Sequence, residues 1–97
     1  MVFTIYILRC SDGSYYTGLT RSEIGQRLWQ HNQGVVEGYT HSRRPVELVF
    51  METTDSARAA VARERQIKGW SRAKKEALIA GDWQRLATLS RNRQQQP

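Results

Sequence analysis

The stretch YILRCSDGSYYTG, residues 6–18, decides the fold of this chain. It carries two tyrosines, Tyr6 and Tyr16, on either side of the turn-forming sequence Ser11-Asp12-Gly13. β-Branched and aromatic residues dominate both flanks, which is typical of β-strands. The stretch therefore predicts a β-hairpin with strands over 3–8 and 15–20, and its turn decides whether the two tyrosines share a face.

Two turn geometries are available for this hairpin, and they have opposite consequences. A two-residue turn at Asp12-Gly13 would send the two tyrosines to opposite faces of the sheet. A three-residue loop closed by Gly13 in the left-handed conformation would instead pair Tyr6 with Gly18 and place Tyr6 and Tyr16 on one face. The missing side chain of Gly18 would then leave space beside Tyr6.

A helix is predicted directly after the hairpin. Thr20 and Glu23 have the spacing of a capping box, and the helix should run to about Asn32. Arg27 and His31 are four residues apart, so they would flank the apolar stripe of this helix on the same side.

The remainder of the chain predicts one more strand and three more helices, so the fold class is α+β. A loop over 35–44 precedes a strand over 46–51, which Pro45 can open because a first strand position needs no ladder hydrogen bond. The predicted helix caps are Thr54 or Asp55 for a helix ending at Lys68, Ser71 for a helix ending at Ala80, and Asp82 for a helix ending near Ser90. We expect a small three-stranded sheet with helices packed over it.

Glu64 stands out in the helix that is predicted to end at Lys68. It falls on the inward stripe, which the spacing assigns to Ala57, Ala60, Val61 and Ile67. A carboxylate on such a stripe is costly unless it is paired or binds a cation. Glu64 is therefore a candidate metal ligand, and a salt bridge with Arg63 or Lys68 is its structural alternative.

Composition limits the possible function classes. The chain has 97 residues, which fits one domain over 1–90 followed by a polar tail over 91–97 that should be disordered. The net charge of +6 indicates a polyanionic partner, because lysines and arginines that neutralise phosphates release condensed counterions. Basic residues are concentrated between Arg58 and Lys75.

The single cysteine and the N-terminal segment exclude further classes. Cys10 alone cannot form an internal disulfide or a multi-cysteine zinc site, and a buried strand thiol is its expected role. The apolar segment at the start is far shorter than the roughly 20 residues that span a bilayer. We expect a cytoplasmic protein with no membrane partner.

The ordered set of motifs resembles the GIY-YIG nuclease superfamily, and most closely its small stand-alone bacterial branch, often called UPF0213 or YhbQ-like. The resemblance covers about residues 3–80. It is carried by Thr4-Ile5-Tyr6, Tyr16-Thr17-Gly18, the run from Arg27 to Asn32, Tyr39-Thr40, the run from Arg44 to Leu48, and the run from Glu64 to Arg72. Two positions depart from the pattern: Thr4 replaces a glycine, and Leu19 stands where some relatives have a lysine.

The resemblance implies a three-stranded antiparallel sheet flanked by helices and a phosphodiesterase site with one divalent metal, Mg2+ or Mn2+. By position, Tyr6 and Tyr16 match the motif tyrosines and Arg27 matches the arginine that steadies the attacked phosphate. His31 matches a position held by histidine or tyrosine, and Glu64 matches the single metal ligand.

These residue types suit phosphodiester hydrolysis. One carboxylate leaves a magnesium ion several waters, as this ion prefers, and the ion can polarise the phosphate and neutralise the leaving oxygen. The guanidinium of Arg27 presents a fixed fork to phosphate oxygens. For the general base two candidates stay open: Tyr16, if the metal or Arg27 favours its phenolate, and His31, with Tyr16 orienting the water. We favour Tyr16 narrowly.

The sequence therefore predicts a metal-dependent endonuclease that acts on DNA and serves DNA repair or recombination. We expect it to select substrates by their structure, through its basic surface or through a protein partner. The alternatives are a DNA- or RNA-binding module that does not cut, and a small protein-interaction subunit. The residues expected to contact nucleic acid are Tyr39, Arg43, Arg44, Lys68 and Arg72. Trp29, Trp70 and Trp83 are expected to be packing residues, although an exposed one could stack on a base.

Overall fold

The computed structural model describes residues 1–95 and confirms the α+β prediction. The sheet has three strands in the order β2-β1-β3, and both pairings are antiparallel. In chain order the elements are β1 (Phe3–Arg9), β2 (Tyr15–Thr20), α1 (Ile24–Asn32), a single 3-10 turn (His41–Arg43), β3 (Glu47–Thr54), α2 (Ala57–Lys68), α3 (Arg72–Ala80) and α4 (Trp83–Gln95).

The hairpin between β1 and β2 has the three-residue turn. Gly13 N donates to Cys10 O at 2.9 Å, Cys10 N donates to Ser14 O at 2.8 Å, and Gly13 has a φ of 83°. This left-handed conformation favours glycine because it lacks a Cβ. Tyr6 consequently lies opposite Gly18. The register that brings Tyr6 and Tyr16 to one face is confirmed.

Strand β1 is covered on both faces, as its continuous apolar sequence predicts. On one face, Ile5 and Ile7 join a core with side chains from α2 and α3, namely Ala60, Ile67 and Leu78. On the other face, Tyr6 and Leu8 pack with Cys10, Val46, Tyr16, Leu48 and two residues of α1, Ile24 and Leu28. The buried position expected for Cys10 is confirmed.

The N-caps predicted for the first two helices, Thr20 for α1 and Thr54 or Asp55 for α2, are wrong. Glu23 itself is the N-cap of α1, and its carboxylate accepts from the backbone N–H groups of Gly25 and Gln26. Thr20 remains in β2 opposite Thr4, so its pairing in the sheet delays the helix. The cap of α2 is Ser56, because β3 continues to Thr54. The predicted caps Ser71 and Asp82 accept from Lys74 N and Arg85 N and are confirmed.

Two further sets of expectations about burial also need correction, the inward stripe of α2 and the packing of the tryptophans. Val61 is 39% exposed and Ala57 is also exposed, so the buried stripe of α2 reduces to Ala60 and Ile67. Trp29 and Trp83 are 59% and 63% exposed and are not packing residues. Trp70 does pack against the core.

Helix α4 extends to Gln95 and therefore enters the segment 91–97, for which the sequence predicts disorder. Residues 96 and 97 of that segment lie outside the described residues. The domain boundary at residue 90 stays a prediction. Within the described part of the chain, no helix has both the length and the apolar character that crossing a membrane requires.

Candidate active site

Tyr6 lies at the centre of a buried polar network on the α1 face of the sheet. Its ring extends across β2 above Gly18, where an added Cβ would collide with the ring atom Cζ of Tyr6. A side chain at position 18 would therefore displace the ring, so the glycine is needed for this close approach. The hydroxyl of Tyr6 thereby reaches α1, which supplies its hydrogen-bond partners.

Tyr6, His31 and Thr40 form a chain of short hydrogen bonds. The hydroxyl of Tyr6 is 2.9 Å from Nε2 of His31, and Nδ1 of His31 is 2.8 Å from Oγ1 of Thr40. All three residues are at most 1% exposed. Both ring nitrogens of His31 therefore have a partner inside the protein.

Two pKa shifts describe the protonation of this network. Burial, and then the positive charge of Arg27, lower the pKa of His31, so its imidazole is neutral near pH 7. Burial raises the pKa of Tyr6, so the phenol keeps its proton. Arg27 Nε donates to the Tyr6 oxygen at 3.4 Å. The bond between the Tyr6 oxygen and Nε2 therefore joins a protonated phenol and a neutral imidazole.

Arg27 reaches this network from the exposed side of α1. Besides its contact with Tyr6, its Nη1 donates to Oε1 of Gln30 at 3.2 Å. The side chain is partly exposed, so a guanidinium that cannot lose its proton faces solvent next to the tyrosine. This position suits the stabilisation of negative charge on a phosphate.

Tyr16 is surrounded by three rings. Its centroid lies 6.4 Å from that of Tyr6, 5.4 Å from that of His31 and 6.2 Å from that of Tyr39. The Tyr39 ring is nearly parallel to it, at 21°. Tyr16 is partly exposed whereas Tyr6 is fully buried, so Tyr16 is the motif tyrosine with access to solvent.

Glu64 approaches the tyrosines from α2, which packs against β2. Its side chain is 17% exposed, and Oε1 is 2.9 Å from Nζ of Lys68. The hydrogen bond with Glu64 raises the pKa of Lys68. The charge of Glu64 is also close enough to contribute to the raised pKa of Tyr6, although burial has the largest effect there. The structure thus brings Tyr6, Tyr16, Arg27 and His31 together, and it places Glu64 within electrostatic range of Tyr6.

The donor set around Glu64 fits one kind of metal site. No group of three or more His, Cys, Asp or Glu side chains that could hold a metal is found among the described residues. A closed protein cage of the zinc or calcium type is therefore not built from them. A single carboxylate fits Mg2+, which retains waters and binds through few protein ligands together with substrate phosphate oxygens.

The residues expected to contact nucleic acid fall into two groups. Tyr39 and Lys68 lie at the site, and Arg72 lies beside the hairpin turn, where Nη1 donates to Gly13 O at 2.8 Å. Arg43 and Arg44 are engaged within the protein. Arg43 pairs with Asp12, and Arg44 donates to two backbone carbonyls, those of His41 and Asn32. Nucleic-acid contacts by these five residues stay predictions.

Sequence reasoning missed the polar contacts that hold the site from loop 35–44. The sequence places Thr40 in a loop and gives it no role, yet its hydroxyl is the hydrogen-bond partner of Nδ1 of His31. Its adjacency to Tyr39 within a family-like motif was the signal available for it. Leu19, the departure from the family pattern, packs against the apolar core on the opposite face and therefore lies outside the site.

Comparison with known proteins identifies the family of this chain. Residues 2–77 match the GIY-YIG catalytic domain. A UPF0213 protein of Natronomonas pharaonis is 46% identical over 78 residues, which cover 80% of this chain and 91% of that protein. A UPF0213 protein of Staphylococcus saprophyticus is 47% identical over 76 residues, which cover 78% and 92%.

Two solution NMR structures have the same fold. A UPF0213 protein from Bacillus halodurans matches with a TM-score of 0.55 and 39% identity, over 82% of this chain and 84% of that one. A protein from E. faecalis matches with a TM-score of 0.58 and 31% identity, over 84% and 85%. The chain therefore belongs to the GIY-YIG nuclease family, and within it to the UPF0213 proteins.

Proposed function

We propose that this protein is a metal-dependent endonuclease that hydrolyses phosphodiester bonds in DNA. The observation that carries the proposal is the position of the Tyr6 hydroxyl, which lies between His31 and Arg27 with the charge of Glu64 nearby. A buried, fully hydrogen-bonded tyrosine and histidine next to a partly exposed arginine form a preorganised site rather than a solvated helix surface.

Glu64 would hold the divalent ion, Mg2+ or Mn2+. When bound, the ion supplies polarisation of the phosphate and neutralisation of the leaving oxygen. Arg27 would donate to the non-bridging phosphate oxygens, where negative charge grows as the attacking oxygen bonds to phosphorus. Lys68 and Arg72 would contact the backbone phosphates on either side.

Tyr16 is the better candidate for the residue that orients and deprotonates the water. Tyr16 has solvent access, whereas both nitrogens of His31 are buried and bonded to Tyr6 and Thr40. In this scheme Tyr16 acts as the phenolate, which the metal or Arg27 would favour, and takes a proton from the water. The water oxygen bonds to phosphorus, the bond to the leaving oxygen breaks, and the leaving oxygen departs with the negative charge that the metal would neutralise. His31 then acts through Tyr6, which it orients beside Tyr16.

Cleavage of labelled plasmid and branched DNA with Mg2+ or Mn2+ tests the proposal. Glu64→Gln should lower the cleavage rate by about 10²-fold or more, because the metal ligand is lost. Glu52→Gln is the matched control, since Glu52 also belongs to an ion pair, with Arg63 at 2.8 Å, but lies on β3. Equal cleavage by wild type and Glu64→Gln would refute the metal role.

A nucleic-acid-binding module without cleavage is the second candidate. The net charge of +6 and two exposed cations, Lys68 next to Glu64 and Arg72 beside the hairpin turn, favour it as a DNA- or RNA-binding surface. Salt-dependent binding of branched DNA or structured RNA without cleavage by wild type, in either metal, would select this candidate. A role in DNA repair or recombination is a further part of the proposal, and the comparison of branched DNA with plasmid addresses it. A protein partner that selects targets is also part of the proposal.

A further inference from the structure

The ring of Tyr39 is held on the active-site tyrosine although it is exposed. It belongs to a loop whose backbone reverses at two glycines, Gly34 with a φ of 76° and Gly38 with a φ of 107°. It is 42% exposed, yet it lies nearly parallel to the ring of Tyr16. An exposed aromatic side chain on such a loop has several accessible rotamers unless other groups fix it.

Arg43 is the group that fixes this ring. Its guanidinium carbon lies 3.9 Å from the centroid of the Tyr39 ring, within the range of a cation–π contact. Its Nη1 donates to the backbone oxygen of Tyr39 at 2.8 Å. Arg43 therefore binds both the side chain and the backbone of Tyr39, which makes the two residues one unit.

Asp12 connects this unit to the hairpin. Its Oδ2 accepts from Arg43 Nε at 3.1 Å, while its Oδ1 accepts from the backbone N–H of Ser14 at 3.0 Å. The hydrogen bonds from Ser14 lower the pKa of Asp12, so the carboxylate is ionised at neutral pH. A separate backbone bond, from Ser11 N to Arg43 O at 2.9 Å, holds the two segments together without the carboxylate. Asp12 thus sets the direction of the guanidinium rather than the path of the loop.

The contact reaches Tyr16 through a short series of neighbours. Asp12 orients Arg43, Arg43 holds Tyr39, and the Tyr39 ring stacks on that of Tyr16. Thr40 is buried and anchors the backbone next to Tyr39, but it does not determine where the Tyr39 ring points.

We propose that Asp12 is a positioning residue: through Arg43 and Tyr39 it confines the ring of Tyr16 and so aims the Tyr16 hydroxyl at the water. This role rests on the proposed function, in which Tyr16 faces the reacting phosphate. It assigns Arg43 to the alignment of the site instead of to the DNA backbone.

The first test measures the ring contact and does not depend on cleavage. Asp12→Asn keeps an oxygen that can accept from Ser14 N and removes the charge that holds Arg43. Asp55→Asn is the matched control, because it makes the same change in net charge at an exposed position between β3 and α2. In protein with 13C-labelled tyrosine, the nuclear Overhauser effects between the rings of Tyr16 and Tyr39 should weaken in Asp12→Asn and persist in Asp55→Asn.

The second test measures kinetics. If Asp12 positions Tyr16, Asp12→Asn lowers kcat about tenfold and changes KM little, because alignment rather than binding is lost. Tyr39→Leu should cause a similar loss, and Asp12→Asn combined with Tyr39→Leu should be no worse than either alone. A change confined to KM would assign Arg43 to substrate binding and overturn the proposal.

The two tests separate failure of this inference from failure of the proposed function. Unchanged ring contacts in Asp12→Asn overturn the positioning role whether or not the protein cuts DNA. If wild type cuts no substrate, the endonuclease function fails, and the ring contacts still decide whether Asp12 confines Tyr16. If Asp12→Asn does not fold, Arg43→Gln removes the same contact from the other side and takes its place in both measurements.

Discussion

The two faces of the sheet differ in chemistry although the same strand, β1, builds both. Towards α2 and α3 its side chains Ile5 and Ile7 enter an apolar core. Towards α1 its residue Tyr6 enters a network of buried hydroxyl and imidazole groups with His31. Apolar burial stabilises the domain without directional requirements. The buried network stabilises the domain only while each of its polar groups keeps its hydrogen-bond partner. This requirement fixes the positions of the reactive groups.

The largest effect on stability should come from the apolar face. Leu78 is 2% exposed, so Leu78→Ala should lower the free energy of unfolding by about 2–5 kcal/mol through lost burial and a cavity. The cleavage rate per folded molecule should stay near that of wild type, since Leu78 lies on the opposite face of the sheet. Chemical denaturation and cleavage at a temperature where the variant is folded measure both quantities. A larger loss of cleavage than of folded protein would contradict the division of roles.

Gly18→Ala should have the next largest effect on stability, because it displaces the ring of Tyr6. The new methyl group would collide with the Tyr6 ring, and such overpacking typically costs about 1–3 kcal/mol. Gly69→Ala is the matched control, because the nearest atoms to its added Cβ are at 3.6 Å and its φ is −83°. Denaturation and the Tyr6 ring resonances should report a perturbed Gly18→Ala and an unperturbed Gly69→Ala. Equal stability of the two variants would show that the ring has room to move.

Tyr6→Phe tests the polar face with a smaller change. It leaves Nε2 of His31 without its partner, so the free energy of unfolding should fall by about 1–2 kcal/mol. Tyr15→Phe is the control, as Tyr15 packs on the opposite face under Arg72. Cleavage should fall in Tyr6→Phe by about tenfold or more, because Tyr16 and His31 lose their alignment. If both variants are equally stable and active, the Tyr6 hydroxyl has neither role.

The smallest effect should come from pH. The folded protein holds the pKa of His31 below its ordinary value of 6.5, by burial and then by the charge of Arg27. The unfolded chain therefore takes up a proton as the pH falls through about 6.5, while the folded state stays neutral. This contribution to stability is complete above that pH and is lost as the pH falls towards the folded pKa, by at most about 1.4 kcal/mol per pH unit. Denaturation at pH 7, 6 and 5 should show a shallower pH dependence in His31→Gln than in wild type. Identical slopes would place His31 outside the buried network.

The comparison of the two faces also explains what the sequence predicts well. The hairpin register follows from local rules, since the turn at Ser11-Asp12-Gly13 and the gap at Gly18 are set by backbone sterics. Once that register is known, Tyr6 and Tyr16 must share a face. The helix ends at Asn32 and Lys68 also follow from nearby residues.

What the sequence does not predict depends on contacts between distant segments. Thr20 has the spacing of a helix cap, but its pairing with Thr4 keeps it in β2. The exposure of Val61 depends on which side of α2 meets the sheet, a choice that helical periodicity alone leaves open. The contact of Asp12 with Arg43 joins residues 31 positions apart, so no local pattern could indicate it.

The most direct test of the central claim, that the α1 face is a catalytic centre, is the single-turnover cleavage rate of Arg27→Ala. Gln26→Ala is the control on the same helix, where the exposed side chain faces solvent. If Arg27 stabilises charge on the attacked phosphate, Arg27→Ala should cut about 10²- to 10³-fold more slowly than wild type, with Gln26→Ala unchanged. Cleavage by Arg27→Ala within about threefold of wild type would contradict the claim, because the proposed site predicts a loss at least an order of magnitude larger.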